Sequence, residues 1–306
     1  MLTRRTFLTA TATTAAAFAL MPLRTWAQVP EGGTILTRPI PSTGEAVPVI
    51  GMGTSGSFEV GTSAAERDPL REVLRRFFAG GGKLIDTAPS YSSAEGVLGD
   101  LLSEDGLRAK TFLATKLSDT GRDAGLAQFE TSLKRLKTDK VELLQVHNLR
   151  DWRTQFDLIK ELKAEGRTRY SGLTHYLDAN QDELAEVVEA TRPDFLQINY
   201  SVISRKAEKR LFPMAKDLGV AVLVNRAFDD GKLFAQAGDK ELPGWAAEVG
   251  ATSWAQLFLK FAISHPAVTA VIPATGKPDR QSDNLKAGHG ALLDDAQRDE
   301  LSALFA

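Results

Sequence analysis

Short apolar runs alternate with amphipathic stretches along most of the chain. Runs such as VELLQV, FLQINY and VAVLVN are rich in β-branched residues and show little polar alternation, which is typical of strands buried on both faces. The stretches between the runs carry apolar residues at helical spacing. The pattern therefore predicts eight strands: Val47–Thr54, Lys83–Ala88, Thr111–Lys116, Val141–His147, Thr168–Thr174, Phe195–Tyr200, Val220–Ala227 and Val268–Ala274.

A predicted helix follows each strand, and one more helix closes the chain. The helices are Ala65–Ala79, Ala94–Ser103, Gly121–Leu136, Thr154–Ala164, Gln181–Ala190, Ala207–Leu218, Ser253–Ser264, Arg280–Ala287 and Asp295–Phe305. Eight parallel strands with helical crossovers predict a (β/α)8 TIM barrel with an extra C-terminal helix. An open doubly wound sheet is the alternative, but Gly51, Gly53 and Gly56 have no helix directly behind them, which favours a barrel-mouth turn over a dinucleotide motif.

The segment before the first strand differs in composition. Residues 28–46 are rich in Pro, Gly and Thr, and the runs ILTRPI and AVPVIGMGT flank a turn at residues 42–45. This arrangement predicts an N-terminal hairpin ahead of the barrel.

Composition narrows the class of protein. The 306 residues are 43% hydrophobic and 25% charged, as in an ordinary soluble globule, and one barrel-sized domain over residues 28–306 is expected. The net charge of −2 offers no basic field for nucleic acid or an anionic membrane. The absence of cysteine excludes disulfides, thiolate nucleophiles and Cys-ligated zinc, and four histidines without HExxH argue against a catalytic metal.

The N-terminus has the features of an export signal. Arg4 and Arg5 precede a mildly apolar Ala/Thr stretch that runs to about Met21, and Thr25 and Ala27 are small residues at the two positions read at a cleavage site. The pattern resembles a twin-arginine signal over residues 1–27, cleaved after Ala27. It therefore predicts a periplasmic or otherwise exported protein, carried already folded by the twin-arginine export machinery. A membrane anchor and a chance Arg–Arg pair are the alternatives; the stretch is too short and Thr-rich for a span.

Four chemistry-bearing residues lie at or just after the ends of predicted strands. Asp86 lies near the end of one strand, Tyr91 follows in its loop, and Lys116 and His147 end the next two strands. The carboxyl ends of parallel barrel strands open onto one face, so these side chains can converge there. A lysine held charged by a carboxylate can lower the pKa of a phenol, and a histidine can orient a substrate oxygen. The set predicts proton transfer to a carbonyl oxygen.

The motifs that surround these residues resemble the aldo-keto reductase superfamily. They are IDTAPSYSSAEGVLGDLL, FLATKL, LLQVHN, GLTHY, LQINYS and VIPATGKPDRQSDN, in family order over residues 47–305. The resemblance implies that Tyr91 is the general acid during hydride transfer from a nicotinamide. It further implies that Lys116, paired with Asp86, lowers the pKa of Tyr91, and that His147 orients the substrate oxygen.

The same resemblance implies a set of cofactor contacts. Residues at the nicotinamide and pyrophosphate end are Thr174, His175, Gln197, Asn225 and Arg226, with Lys232 and Leu233 in a covering segment; residues at the adenosine end are Lys277, Arg280 and Asn284. Two cations beside a helix N-terminus favour a 2′-phosphate, so NADP(H) is preferred over NAD(H).

Some positions depart from the family pattern. Thr174–His175 stands in place of Ser-Asn, and Asn225–Arg226 stands in place of an aromatic residue or serine. A missing aromatic side chain removes a stack on the nicotinamide, and Arg226 is then expected to meet the pyrophosphate or a substrate carboxylate. Phe58 and Trp152 fall in mouth loops and are predicted either to form walls of the substrate pocket or to pack the rim.

Three functions follow from these observations. The first is an NADP(H)-dependent reductase of an aldehyde or ketone, a small-molecule carbonyl substrate. The second is an exported cofactor-binding or redox-sensing partner protein with little turnover. The third and weakest is a metal-dependent hydrolase or isomerase that uses Asp86 and His147. The intact set of four residues favours the first.

Overall fold

The strands of the computed structural model, which describes residues 34–306, form one small sheet and one large one. The small sheet pairs β1 (Thr37–Pro39) with β2 (Ala46–Pro48). The large sheet contains β3 (Met52–Gly53), β4 (Leu84–Asp86), β5 (Phe112–Leu117), β6 (Val141–His147), β7 (Thr168–Thr174), β8 (Phe195–Asn199), β9 (Ala221–Asn225) and β10 (Val268–Val271). The predicted signal lies outside the described residues.

The large sheet closes into a barrel. Its eight strands pair in chain order, and every pairing is parallel. Parallel bridges from Ile50 to Val271 and from Gly53 to Ala274 connect the first strand to the last. An open doubly wound sheet has no such bridges, so the prediction of a (β/α)8 barrel is confirmed.

Helices surround the strands, because each connection between parallel strands must cross back over the sheet. They are α1 (Ala64–Ala79), α2 (Ala94–Glu104), α3 (Arg122–Arg135), α4 (Trp152–Ala164), α5 (Gln181–Thr191), α6 (Leu211–Leu218), α7 (Lys232–Ala237), α8 (Trp254–Ser264), α9 (Pro278–Lys286) and α10 (Asp295–Ala303). The short α7 was not predicted. No helix within residues 34–306 is long and apolar enough to cross a membrane.

The predicted N-terminal hairpin is present and closes the amino end of the barrel. Ile40 and Val47 are buried in one cluster with residues that begin barrel strands, among them Leu84, Phe112 and Phe195. The single strand predicted over Val47–Thr54 is therefore wrong. That apolar run is divided between two sheets, because its first part pairs with β1 and its last part pairs with β4.

Candidate active site

The carboxyl ends of β4, β5 and β6 bring the predicted acid–base residues together. Lys116 Nζ donates to Asp86 Oδ2 at 2.6 Å and to the carbonyl oxygen of Thr87 at 2.8 Å. Both charged side chains are almost fully buried. Because a buried charge is tolerated only when it is paired and hydrogen-bonded, this pair needs both partners in place.

Tyr91 and His147 lie above this pair. Lys116 Nζ lies 5.1 Å from the centre of the Tyr91 ring. The Tyr91 and His147 rings meet edge to face, with centroids 6.0 Å apart. The structure therefore places the four predicted residues in one group at the barrel mouth.

The environment raises the pKa of Tyr91 instead of lowering it. Burial has the largest effect, the ammonium of Lys116 opposes it, and the negative charges of Asp86 and Glu59 add to the rise. Lys116 does act to lower the pKa of Tyr91, as expected, but burial and the two carboxylates raise that pKa by more. The phenol is therefore protonated at neutral pH and able to donate.

The pKa of His147 is lowered to about 3, first by burial and then by the positive charge of Lys116. Its imidazole is therefore neutral over the physiological range and carries one N–H. Ser90 Oγ lies 3.5 Å from His147 Nδ1, a long contact at the limit of a hydrogen bond.

Two buried amides hold the other oxygen of the Asp86 carboxylate. Gln145 Nε2 donates to Asp86 Oδ1 at 3.0 Å, and Gln197 Nε2 donates to the same atom at 2.9 Å. Sequence reasoning missed Gln145. The sequence did contain a signal for this residue: Gln145 is a polar residue within the apolar run of β6, two positions before His147.

A cavity of about 1140 Å³ opens above the group and extends toward α9. Such a volume exceeds the usual range for a pocket that takes one drug-sized ligand. Asp86, Tyr91 and His147 line one part of it, and Arg280 and Asn284 line another. The cavity is therefore large enough to hold a long ligand beside a small one.

Three of the predicted nicotinamide contacts line this cavity: Thr174, Gln197 and Asn225. Asn225 Nδ2 donates to the carbonyl oxygen of His175 at 3.2 Å and to Gln197 Oε1 at 3.3 Å. Asn225 Oδ1 is buried without a hydrogen-bond partner. An unsatisfied buried acceptor is costly, and the amide N–H of a carboxamide would satisfy it.

His175 is occupied by its own turn. Its Nδ1 accepts from the backbone N–H groups of Tyr176 and Leu177, at 3.0 and 3.2 Å. It is buried, and it is not among the residues that line the cavity. Its neighbour Tyr176 lines the cavity instead, with its ring stacked on the imidazole.

The segment after β9 contains two ion pairs. Arg226 pairs with Asp230 at 3.1 Å and lies over the Tyr176 ring, and Lys232 pairs with Asp229 at 3.3 Å. Arg226 lines the cavity, whereas Lys232 does not. The side chain of Leu233 is fully buried, so it packs in the core and does not face a ligand.

The beginning of α9 presents cations toward the adenosine end predicted for the cofactor. Arg280, in its first turn, is exposed and lines the cavity together with Asn284. Lys277 is exposed at the N-cap but lies outside the lining. Within residues 34–306, neither Lys277 nor Arg280 belongs to an ion pair.

The predicted pocket walls are not found at the cavity. Phe58 is fully buried and belongs to the main core, so the expectation that it forms a wall is wrong. Trp152 is the first residue of α4, packs against the same core and lies under the guanidinium of Arg153. It does not line the cavity either. Phe58 therefore packs in the core, and the partly buried Trp152 packs against it.

The sequence of this barrel matches the family model described as "Aldo/keto reductase family" over residues 49–305. The chain belongs to the aldo/keto reductase family. Relatives include morphine 6-dehydrogenase of Pseudomonas putida, 28% identical over 85% of this chain and 89% of the relative. Another is methylglyoxal reductase YeaE of Escherichia coli, 29% identical over 74% of this chain and 80% of the relative.

Solved family structures share the fold. An aldo/keto reductase from Klebsiella pneumoniae in complex with NADP and acetate has a TM-score of 0.69 and 27% identity, covering 86% of this chain and 93% of that one. The holo form of aldo-keto reductase AKR11C1 from Bacillus halodurans has a TM-score of 0.71 at 21% identity, covering 88% and 96%. This chain is thus an oxidoreductase of a family whose members include NADP-bound barrels.

Proposed function

We propose that the protein is an NADP(H)-dependent reductase of a small aldehyde or ketone, with Tyr91 as the general acid. One observation carries the proposal: a protonated phenol lies beside a buried Lys–Asp pair and a neutral histidine, on the wall of a cavity large enough for more than one ligand. Relatives named for the reduction of methylglyoxal and glyoxal support a small carbonyl substrate.

Four residues of the chain have separate roles in proton transfer. The nicotinamide supplies the hydride when it is bound. Tyr91 donates its phenolic proton to the carbonyl oxygen, and the nearby ammonium of Lys116 stabilises the phenolate that remains. Asp86 keeps Lys116 charged in a buried site. His147, which is neutral, donates a hydrogen bond to the same oxygen and orients it.

The cofactor would lie along the cavity from the acid–base group to α9. Asn225 Oδ1, which lacks a partner, would accept from the carboxamide, and Thr174 and Gln197 lie beside it. At the other end Arg280 would meet the 2′-phosphate near a helix N-terminus, where an anion is favoured. This cation supports a preference for NADPH over NADH.

The test is NADPH oxidation by residues 28–306 with a panel of small carbonyls that includes methylglyoxal and glyoxal. We expect Tyr91→Phe to lower kcat by about a hundredfold or more, as removal of a general acid does. Its Kd for NADPH, measured by fluorescence titration, should stay within about twofold, because the acid contributes to chemistry and not to nucleotide binding. A wild-type titration with NADH in parallel tests the cofactor preference.

Two outcomes would contradict the proposal. Full activity in Tyr91→Phe would remove Tyr91 from the acid role. Tight NADPH binding by the wild type without turnover of any carbonyl would favour the cofactor-binding partner protein. A metal-dependent mechanism finds little support, since Asp86 is already bonded to Lys116, Gln145 and Gln197. Within residues 34–306, moreover, no three His, Asp or Glu side chains cluster as metal ligands.

We also propose export through the twin-arginine route, supported by Arg4 and Arg5 and the small residues before Gln28. Fractionation of cells that produce the full chain should place a product beginning at Gln28 outside the cytoplasm. Arg4→Lys combined with Arg5→Lys should retain the uncleaved chain inside. Export of that double variant at the wild-type level would contradict the proposed route.

A further inference from the structure

Polar side chains line the part of the cavity next to Tyr91, and the large apolar side chains of its lining come from other segments of the chain. Ser55, Glu59, Ser90 and Asn148 line the cavity on the side of the acid–base group. The apolar lining residues come from the chain after β9 and from the segment around β10; they include Ala227, Phe228, Phe234, Trp254, Ile272 and Pro273. Phe58 and Trp152 do not line the cavity, so neither supplies an apolar wall beside the polar group.

Glu59 is the charged member of this polar group. Its side chain is exposed in the loop between β3 and α1, and its Oε1 accepts from the backbone N–H of Gly56 at 2.8 Å. That bond holds the carboxylate at the cavity while its other oxygen stays available. Among residues 34–306, Glu59 is in no ion pair. Its charge reaches the reaction centre, because it contributes to the raised pKa of Tyr91.

The other charges nearby cancel. The positive charge of Lys116 is matched by Asp86, and His147 is neutral at physiological pH. Arg226 also lines the cavity, but it is paired with Asp230 and lies over Tyr176. Glu59 therefore leaves the substrate end of the cavity with a net negative charge and several hydrogen-bond acceptors.

We propose that Glu59 is a specificity-determining residue that selects small carbonyl compounds carrying hydrogen-bond donors, neutral or cationic, and disfavours carboxylated ones. This inference rests on the proposed reductase function. A hydroxyl on the substrate can donate to Glu59, whereas a carboxylate meets a like charge there. An apolar chain offers Glu59 no donor.

The experiment compares kcat/KM for three aldehydes with NADPH at low ionic strength: glyceraldehyde, propanal and succinic semialdehyde. The wild type should prefer glyceraldehyde to propanal about tenfold, since only the hydroxylated aldehyde can donate a hydrogen bond to the charged Glu59. In Glu59→Gln the ratio of succinic semialdehyde to glyceraldehyde should rise by about fivefold, because one screened negative charge is removed. The amide keeps the acceptor for Gly56, so the loop is retained.

A matched control is Glu165→Gln. Glu165 is exposed after α4, at the amino end of the barrel, and in no ion pair of the described residues. Its removal changes the net charge equally but should leave the ratio unchanged. The shift in Glu59→Gln should also shrink at high salt.

Each result has a separate meaning. If turnover is present but Glu59→Gln and Glu165→Gln give the same ratio, the role of Glu59 is refuted while the reductase function stands. A wild-type preference for succinic semialdehyde would also refute it and would point to Arg226 as a carboxylate contact. Absence of turnover with every aldehyde would overturn the proposed function, and this inference with it.

Discussion

At the scale of single residues, the Asp86 carboxylate organises the site. One oxygen holds Lys116, and the other accepts from two amides that are themselves linked, since Gln197 Nε2 lies 3.1 Å from Gln145 Oε1. All four side chains are buried. The position of the Lys116 ammonium beside Tyr91 therefore depends on the two amides that hold Asp86.

We predict that Gln145→Leu lowers kcat by about tenfold, because one hydrogen bond to a buried charged group is worth about 1.5–3 kcal/mol. The effect should fall on kcat more than on KM, since Gln145 positions Asp86 and Lys116 and does not line the active-site cavity. Steady-state kinetics on the variant, with urea unfolding to confirm that it is folded, checks this. An unchanged kcat would show that Gln197 alone suffices to orient Asp86.

The same residues show which parts of the site could be predicted from the sequence. Asp86, Lys116 and His147 are recognisable because each ends a strand, and strand ends converge in a parallel barrel. No such rule predicts whether a loop side chain is buried: Phe58 lies in a mouth loop, but its side chain is buried in the core. The sign of the shift in the pKa of Tyr91 also depends on burial, which only the assembled site reveals.

At the scale of elements, the N-terminal hairpin is fixed to the far end of the chain. Arg38 donates to the carbonyl oxygens of Ile263 and His265, at 2.6 and 2.9 Å, and also to that of Val268. These carbonyls lie at the end of α8, where carbonyls lack helical partners, and at the start of β10. That of His265 also accepts from the backbone N–H of Val268. One side chain thus caps a helix and holds the hairpin across the barrel.

We predict that Arg38→Ala lowers the free energy of unfolding by about 2–3 kcal/mol, because it removes hydrogen bonds from a charged donor to the carbonyl groups of Ile263, His265 and Val268. Arg169→Ala is the matched control. Arg169 pairs with Glu45 of the same hairpin but is largely exposed, so its loss should cost below about 1 kcal/mol. Urea unfolding of both variants gives the comparison. Equal losses would mean that the carbonyl contacts contribute no more than a surface ion pair.

Hydrophobic pattern was sufficient for the barrel but not for its first strand. The run from Val47 to Thr54 has the composition of one strand, yet it serves both the hairpin and β3. The division depends on which partners pair with each half, and these partners are Arg38 at one end and Ile85 at the other. Pairing over such distances is not encoded in local periodicity.

At the scale of the whole molecule, buried histidines link folding to pH. The pKa of His147 is lowered to about 3 and that of His265 to about 4, in both cases mainly by burial. An unfolded histidine titrates near 6.5. Between these values the unfolded chain binds more protons than the folded one, so stability is lost as the pH falls below about 6.5.

For His147 alone, the loss between pH 7 and pH 5 amounts to about 2 kcal/mol. We therefore predict that urea unfolding of the wild type shows a falling free energy over this interval. His147→Gln should reduce the fall by about that amount, because glutamine does not titrate. A wild-type stability that is flat from pH 7 to pH 5 would contradict the lowered pKa values.

The Arg38 contacts have a consequence for biosynthesis. They join residues 225 or more positions apart, and the bridge from Ile50 to Val271 joins the two edges of the barrel over a similar separation. A nascent chain still held on the ribosome before Ile263 emerges can form neither. The hairpin and the first strand must therefore wait for nearly all of the barrel sequence, and the barrel closes only after Val271 has emerged.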